Sequence, residues 1–224
     1  MSPSLLPNCR PFTEPYDRAE LIADALVHAG GVGFALVGMI LVISEADGLP
    51  RFQSVSAWIY GVGLLTMFGI SAIYNIWPVS SAKLILRRFD QSAIFFFIAA
   101  SYTPIVAQSA HRTLNQALLI AIWTVAWIGM ILKLGFPSRF ERLSILLCLV
   151  FGWSGVFAYD SVFGALPAST IGLVLVGGVL YSIGLVFHLS DGLRFQNVIW
   201  HSFVLGAAAL QFCAILSLVS AAPL

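Results

Sequence analysis

Charge is what this 224-residue sequence has least of: Asp, Glu, Lys and Arg together make up 9% of it, against roughly a quarter in an ordinary soluble domain. Formal net charge is +1. So sparse a charge set excludes a nucleic-acid footprint, which needs clustered Lys and Arg, and a broad surface for an acidic partner. Cysteine is scarce too. Cys9, Cys148 and Cys213 are odd in number and scattered, without CxxC spacing and with two of them inside apolar runs. That pattern indicates neither a disulfide framework nor a thiolate metal knot, and the three read as small apolar fillers. The first twenty residues lack an apolar core and hold Pro3, Pro7, Pro11 and Pro15. They read as a tail and not as a cleavable signal peptide, which leaves membrane insertion to the first span.

What is abundant is apolar sequence, 59% of the chain, in recurring runs near the length of about 20 residues that crosses a hydrocarbon core. The expected fold is an all-α polytopic membrane protein, a seven-transmembrane helix bundle. A tail covers residues 1–20 and the membrane domain 21–220, with spans at about 21–43, 54–76, 89–108, 114–134, 143–159, 166–187 and 197–220. Punctuation supports the divisions. Glu45, Asp47, Gly48 and Pro50 end the first span, and Trp77-Pro78 stops the second, an interfacial aromatic before a residue that cannot continue a helix. A basic loop with Lys83, Arg87 and Arg88 is expected next, and Pro104 is expected to kink the far end of the third span. Gly135-Phe136-Pro137 closes the fourth, and Asp160 marks the exit of the fifth. Gly30, Gly31, Gly33 and Gly38 on the first span, and Gly177, Gly178 and Gly184 on the sixth, suit close helix contact.

The basic residues set the expected orientation. Arg10, Arg18, Lys83, Arg87, Arg88, Lys133, Arg139, Arg142 and Arg194 fall on one side of the membrane, and only Arg51 and Arg112 on the other. By the positive-inside rule the N-terminus is cytoplasmic and the C-terminus outside.

Almost every unexplained polar residue then lies in the cytoplasmic leaflet. Glu20, Asp24 and His28 open span one, Ser71 and Asn75 close span two, and Asp90 and Ser92 open span three. His188 closes span six; Asn197 and His201 open span seven. Spacings of four put each of the sets Glu20–Asp24–His28, Ser71–Asn75 and Asn197–His201 on one helical face. Single polar residues at span ends are ordinarily hydrated at the headgroup level, but His28 and His201 lie deeper and point to a buried network. His111, in an outer loop beside Arg112, reads as solvated, and Gln211, past mid-span, as a structural cross-helix group. His, Asp and Ser converging in one leaflet suit either a zinc site with an activated water or a proton relay.

Long ordered stretches of the chain resemble the haemolysin III branch of the progestin and adipoQ receptor (PAQR) family, relatives of the adiponectin receptors. They are ELIADALVHAGG with Glu20, Asp24 and His28; SAIYN with Ser71; RRFDQSAIFFFIAASYTPI with Asp90; GGVLYSIGLVF; and NVIWHSFVLGAAALQF. The resemblance implies a zinc ion near the cytoplasmic side, held by one histidine of an S-x3-H motif on span two and two of an H-x3-H motif on span seven. Those positions are here Asn75, Asn197 and His201, so only one is histidine. A further family histidine is here Gln211. Ser71 and Asp90 are kept, and the resemblance gives them catalytic roles beside the metal and its water.

A carboxamide oxygen is a weak ligand for zinc, so the expectation is a metal-free polar network of Asn75, Asn197, His201, Asp90 and Ser71, with no cofactor. Zinc on a rebuilt set of His201 and Asp90 with His28 or His188 is the alternative. Three functions compete. The first is a non-enzymatic role in membrane lipid homeostasis or sensing, in a bacterial inner membrane, with a fatty acyl or sphingolipid-like lipid as partner. The second is zinc-dependent lipid amide hydrolysis, with Asp90 managing protons. The third is pore formation, for which the sequence offers no ring of like charges.

Overall fold

Backbone surrounded by hydrocarbon has no water to bond, so long apolar runs satisfy their N–H and C=O groups internally, as helices. The computed structural model is accordingly all-α. It describes residues 17–107, 112–136, 141–157, 164, 166–190 and 193–221. The tail with Cys9 and Arg10, and also His111, Arg139 and Asp160, lie outside the described residues.

Seven helices are found among the described residues: α1 (Arg18–Glu45), α2 (Arg51–Ile76), α3 (Ser81–Ala107), α4 (Arg112–Gly135), α5 (Glu141–Phe157), α6 (Ala168–Leu189) and α7 (Gln196–Ser220). Six are long and apolar enough to cross a membrane, and α5 holds a shorter apolar stretch, Ile145–Val156. Sequential helices pack side by side, α7 returns onto α1 to close a ring, and α3 also touches α7 across the interior. Of the six, α3 has the most buried span and α6 the least. Outward faces carry exposed Leu26, Ile40, Ile120, Trp127, Ile131 and Val186, which lipid can cover.

One boundary differs from the sequence reading. The stretch with Lys83, Arg87 and Arg88 is not a loop but the first turns of α3. Ser80 Oγ accepts from the Lys83 backbone N–H at 3.4 Å, while the Lys83 ammonium reaches back to the Trp77 carbonyl at 2.8 Å and the Asn75 carbonyl at 3.4 Å. Basic residues are good helix formers, and here Lys83 also caps the carbonyl end of α2. Pro104 lies buried within α3, which runs on to Ala107. The glycines of α1 divide by face: a Cβ on Gly31 would stand 2.6 Å from the Phe68 ring and one on Gly38 3.2 Å from Leu64, whereas Gly30 and Gly33 face open space.

Helix α5 packs more sparsely than its neighbours and is tied down by side chains. Tyr102 of α3 donates its hydroxyl to the Gly152 carbonyl at 2.8 Å and accepts from the Gly155 N–H at 2.8 Å. Trp153 Nε1 donates to Ser182 Oγ of α6 at 3.0 Å. Tyr102→Phe removes the first tie and leaves the buried Gly155 N–H and the Gly152 carbonyl without that partner, at about 1–3 kcal/mol. The expected result is a lower melting temperature in detergent and faster amide exchange confined to α5; unchanged exchange there would refute the tie.

Candidate functional site

Asp24 and His28 stand one turn apart on α1, so both project from one face. His28 is buried, and its Nδ1–H donates to the Asp24 backbone carbonyl at 2.8 Å. That bond leaves Nε2 as an acceptor. The Asn75 amide of α2 fills it, donating to His28 Nε2 at 3.0 Å and also to the Ser71 carbonyl one turn earlier at 2.9 Å. The Ser71 hydroxyl lies 3.4 Å from the same ring nitrogen and bonds the Asp90 carboxylate of α3. From α7, His201 Nδ1–H donates to Asp24 Oδ1 at 2.9 Å, and its ring meets His28 edge-on with centroids 4.3 Å apart. Four helices thus meet through one chain of polar contacts, from His201 through Asp24 and His28 to Asn75, Ser71 and Asp90.

Other candidates lie beside this chain. Glu20 accepts from the Phe195 N–H at 2.7 Å and the Asp17 N–H at 3.0 Å, so it fastens the start of α7 to the start of α1. Phe195 needs the help, because it takes a left-handed backbone conformation, φ 59°. The nearby Arg194–Asp17 pair, 2.9 Å apart, is exposed and adds little. Ser92 turns back to the Arg88 carbonyl within its own helix. His188 lies against Trp200, centroids 4.9 Å apart, and Asn197 is half-buried one turn before His201. Gln211 places its aliphatic stem near Gly177 of α6, its Cγ 3.2 Å from where a Cβ there would sit.

Sequence reasoning missed two groups. Lys133 of α4, counted only as a charge that sets orientation, is buried at 6% exposure and donates to Gln91 Oε1 of α3 at 3.2 Å. Its signal was available: a lysine standing inside an apolar run near a span end. Gln91, next to the familiar Asp90, had no such signal.

The zinc positions implied by the family resemblance do not fit a zinc ion. Asn75 turns amide N–H groups, not a lone pair, towards the cluster. A different set does converge: Asp24, His28 and His201 each offer a ligand atom, all within 4.8 Å of one another. These three can hold a metal ion, sharing only His201 with the family positions.

A cavity of about 250 Å³ joins the polar chain to the apolar interior. At one end its wall holds His28, Ser71, Asp90, Lys133, His188 and His201; further along it holds Ile105, Leu149, Trp153, Tyr181 and Ile215. Asp90 and Ile105 lie about 22 Å apart along α3 at about 1.5 Å per residue. The Tyr181 hydroxyl is buried without a hydrogen-bond partner. The wall is mostly apolar, with its charged and imidazole groups near one end and Ser101, Tyr102, Tyr181, Ser182 and Gln211 farther along.

Comparison with known proteins agrees with the motifs. A family model described as Haemolysin-III related matches residues 20–212. The Hemolysin-3 homolog of Bacillus subtilis is 34% identical over 198 residues, 88% of this chain and 93% of the relative. Hemolysin-3 of Bacillus cereus is 33% identical over the same share of this chain and 90% of its own. The human Monocyte to macrophage differentiation factor is 32% identical over 204 residues, 88% of this chain and 83% of the relative. No solved structure matches. The chain is therefore an integral membrane protein that belongs to the haemolysin III family, within the wider PAQR group.

Proposed function

We propose that this protein binds a membrane lipid within its bundle and acts in lipid homeostasis or sensing, in a bacterial inner membrane, with the polar cluster towards the cytoplasm. The observation that carries this reading is that one cavity runs from the cluster into a mostly apolar interior. An acyl chain laid there leaves no apolar surface in water and brings its head against Asp90, His188 and His201. Occupancy can be read out because the same side chains hold α1, α2, α3 and α7 together. A head that competes for His201 or Ser71 weakens the contacts between those helices, and the bundle responds.

The cluster acts as a metal-free network in this reading. Each bond described in it pairs a donor with an acceptor among protein groups. A second reading, zinc-dependent lipid amide hydrolysis, rests on the convergence of Asp24, His28 and His201. A metal held there would supply a polarised water, and Asp90 would be the group placed to move protons near it. Among the described residues no ring of like charges lines the cavity, so its lining does not favour a pore.

Two measurements on the detergent-purified protein separate these readings. Extraction and mass spectrometry are expected to find lipid retained through purification, and plasma mass spectrometry far less than one zinc per chain after incubation with zinc. About one zinc per chain, lost in both Asp24→Asn and His28→Ala, would replace the network with a metal centre. Lipid-free protein would remove the sensing role.

A further inference from the structure

Ser101, Tyr102, Tyr181, Ser182 and Gln211 stand on the cavity wall beyond its charged and imidazole groups, and three of them are occupied. Ser101 donates to the Phe97 carbonyl at 2.8 Å and Tyr102 to the Gly152 carbonyl at 2.8 Å. Ser182 donates to the Gly178 carbonyl at 2.9 Å and accepts from Trp153 at 3.0 Å. Gln211 and Tyr181 are left. The Tyr181 hydroxyl is buried without a hydrogen-bond partner. Gln211 is half-buried, and its side-chain amide bonds no group among the described residues. An amide left unpaired is costly at membrane depth, where the hydrocarbon around the bundle offers no partner in its place.

The backbone fixes where these two groups stand. Gly177 of α6 gives the Gln211 stem its room, for a Cβ there would meet Gln211 Cγ at 3.2 Å and the Ala207 carbonyl at 3.2 Å. Tyr181 follows Gly177 by one turn and so rises from the same face of α6. Gln211 lies about 15 Å beyond His201 along α7, and Tyr181 about 10 Å from His188 along α6, at about 1.5 Å per residue. Both therefore sit well down the path that leads away from the polar end.

We propose that Gln211, supported by Tyr181, binds an oxygen carried partway along the chain of the lipid, so that the ligand is an acyl lipid with a mid-chain hydroxyl or keto group. The proposal rests on the lipid-binding reading above and specifies its ligand. Gln211 donates an N–H to that oxygen, and its own carbonyl accepts from a ligand hydroxyl or from the Tyr181 O–H. A plain chain covers the same amide with methylenes and leaves it unpaired, and that penalty sets the discrimination.

The test compares stearate, 12-hydroxystearate and 12-oxostearate on the full chain in detergent, by native mass spectrometry and quenching of tryptophan fluorescence. Wild type is expected to bind the two oxygenated chains about tenfold more tightly than stearate, the scale of one hydrogen bond to a group otherwise left unpaired. The tighter of the two names the group. Gln211→Met, close to glutamine in volume, is expected to bring both down to the level of stearate while stearate binding holds, which also shows that the variant is folded. Tyr181→Phe is expected to narrow the preference. Equal binding of all three by wild type, as when the amide holds only a water, overturns the subsite and leaves the lipid cavity standing; so does a preference that survives Gln211→Met. If Gln211→Met loses all three lipids, Tyr181→Phe decides: a loss confined to the oxygenated chains supports the subsite, and an unchanged preference overturns it. No binding of any of the three by wild type overturns both the subsite and the lipid reading.

Discussion

A chain carrying Asn75→His together with Asn197→His is expected to retain about one zinc ion through purification, against little or none in the wild type. The double change restores imidazoles one turn after Ser71 on α2 and one turn before His201 on α7, with Asp90 already at hand on α3. Each is expected to raise zinc affinity by about two orders of magnitude or more, since outer-shell partners alone are worth about 10–100-fold. Neither single variant is expected to suffice, because a catalytic-type zinc site uses three protein ligands and each leaves only two at these positions. The cost is the bond from Asn75 to His28, 3.0 Å long, which position 75 gives up when its side chain turns to a metal. Zinc content that stays at the wild-type level in the double variant would show that the backbone no longer presents these positions to a common point.

Gly129→Ala is the change expected to damage the fold most. A Cβ there would intrude on the ring of Phe95, which is 1% exposed and has no room to retreat. Either the ring leaves its rotamer or α4 moves away from α3, at a cost of about 3 kcal/mol, the upper part of the range for overpacked cores. Gly30→Ala, on a face with nothing within 4 Å, should leave stability unchanged or slightly improved through helix propensity. Thermal unfolding in one detergent measures both, and adding Phe95→Leu to Gly129→Ala should recover part of the loss because the two sites share one contact. Equal melting temperatures for Gly129→Ala and Gly30→Ala would refute the close approach of α3 and α4.

Much of this arrangement could be read from the chain, and the misses have physical causes. Apolar runs of membrane length mark the helices themselves, and spacings of four place Asp24 with His28, Ser71 with Asn75, and Asn197 with His201. The partners across helices are a different matter. Asp24 and His201 are 177 residues apart, His28 and Asn75 47, and nothing local says which faces which. The direction of the Asn75 amide is likewise set by the neighbour it meets. Read as an occupant of a ligand position, it proved to be a donor to an imidazole. The loop expected at Lys83, Arg87 and Arg88 is helix because basic side chains favour a helix and charge alone does not break one. Lys133 was missed because its burial depends on how closely α3 and α4 pack.

The sparse seating of α5 bears on speed. This helix forms part of the cavity wall, through Ile145, Cys148, Leu149, Gly152 and Trp153, and among the described residues it is tied through Tyr102 and Trp153. If the bundle binds lipid as proposed, this sparsely packed wall is where it would open sideways, so that a chain could slip in from the surrounding bilayer without passing through water. Exchange then follows the mole fraction of the lipid in the leaflet and is indifferent to its aqueous solubility. A loosened wall, as in Tyr102→Phe, shortens residence without altering the order in which lipids are preferred.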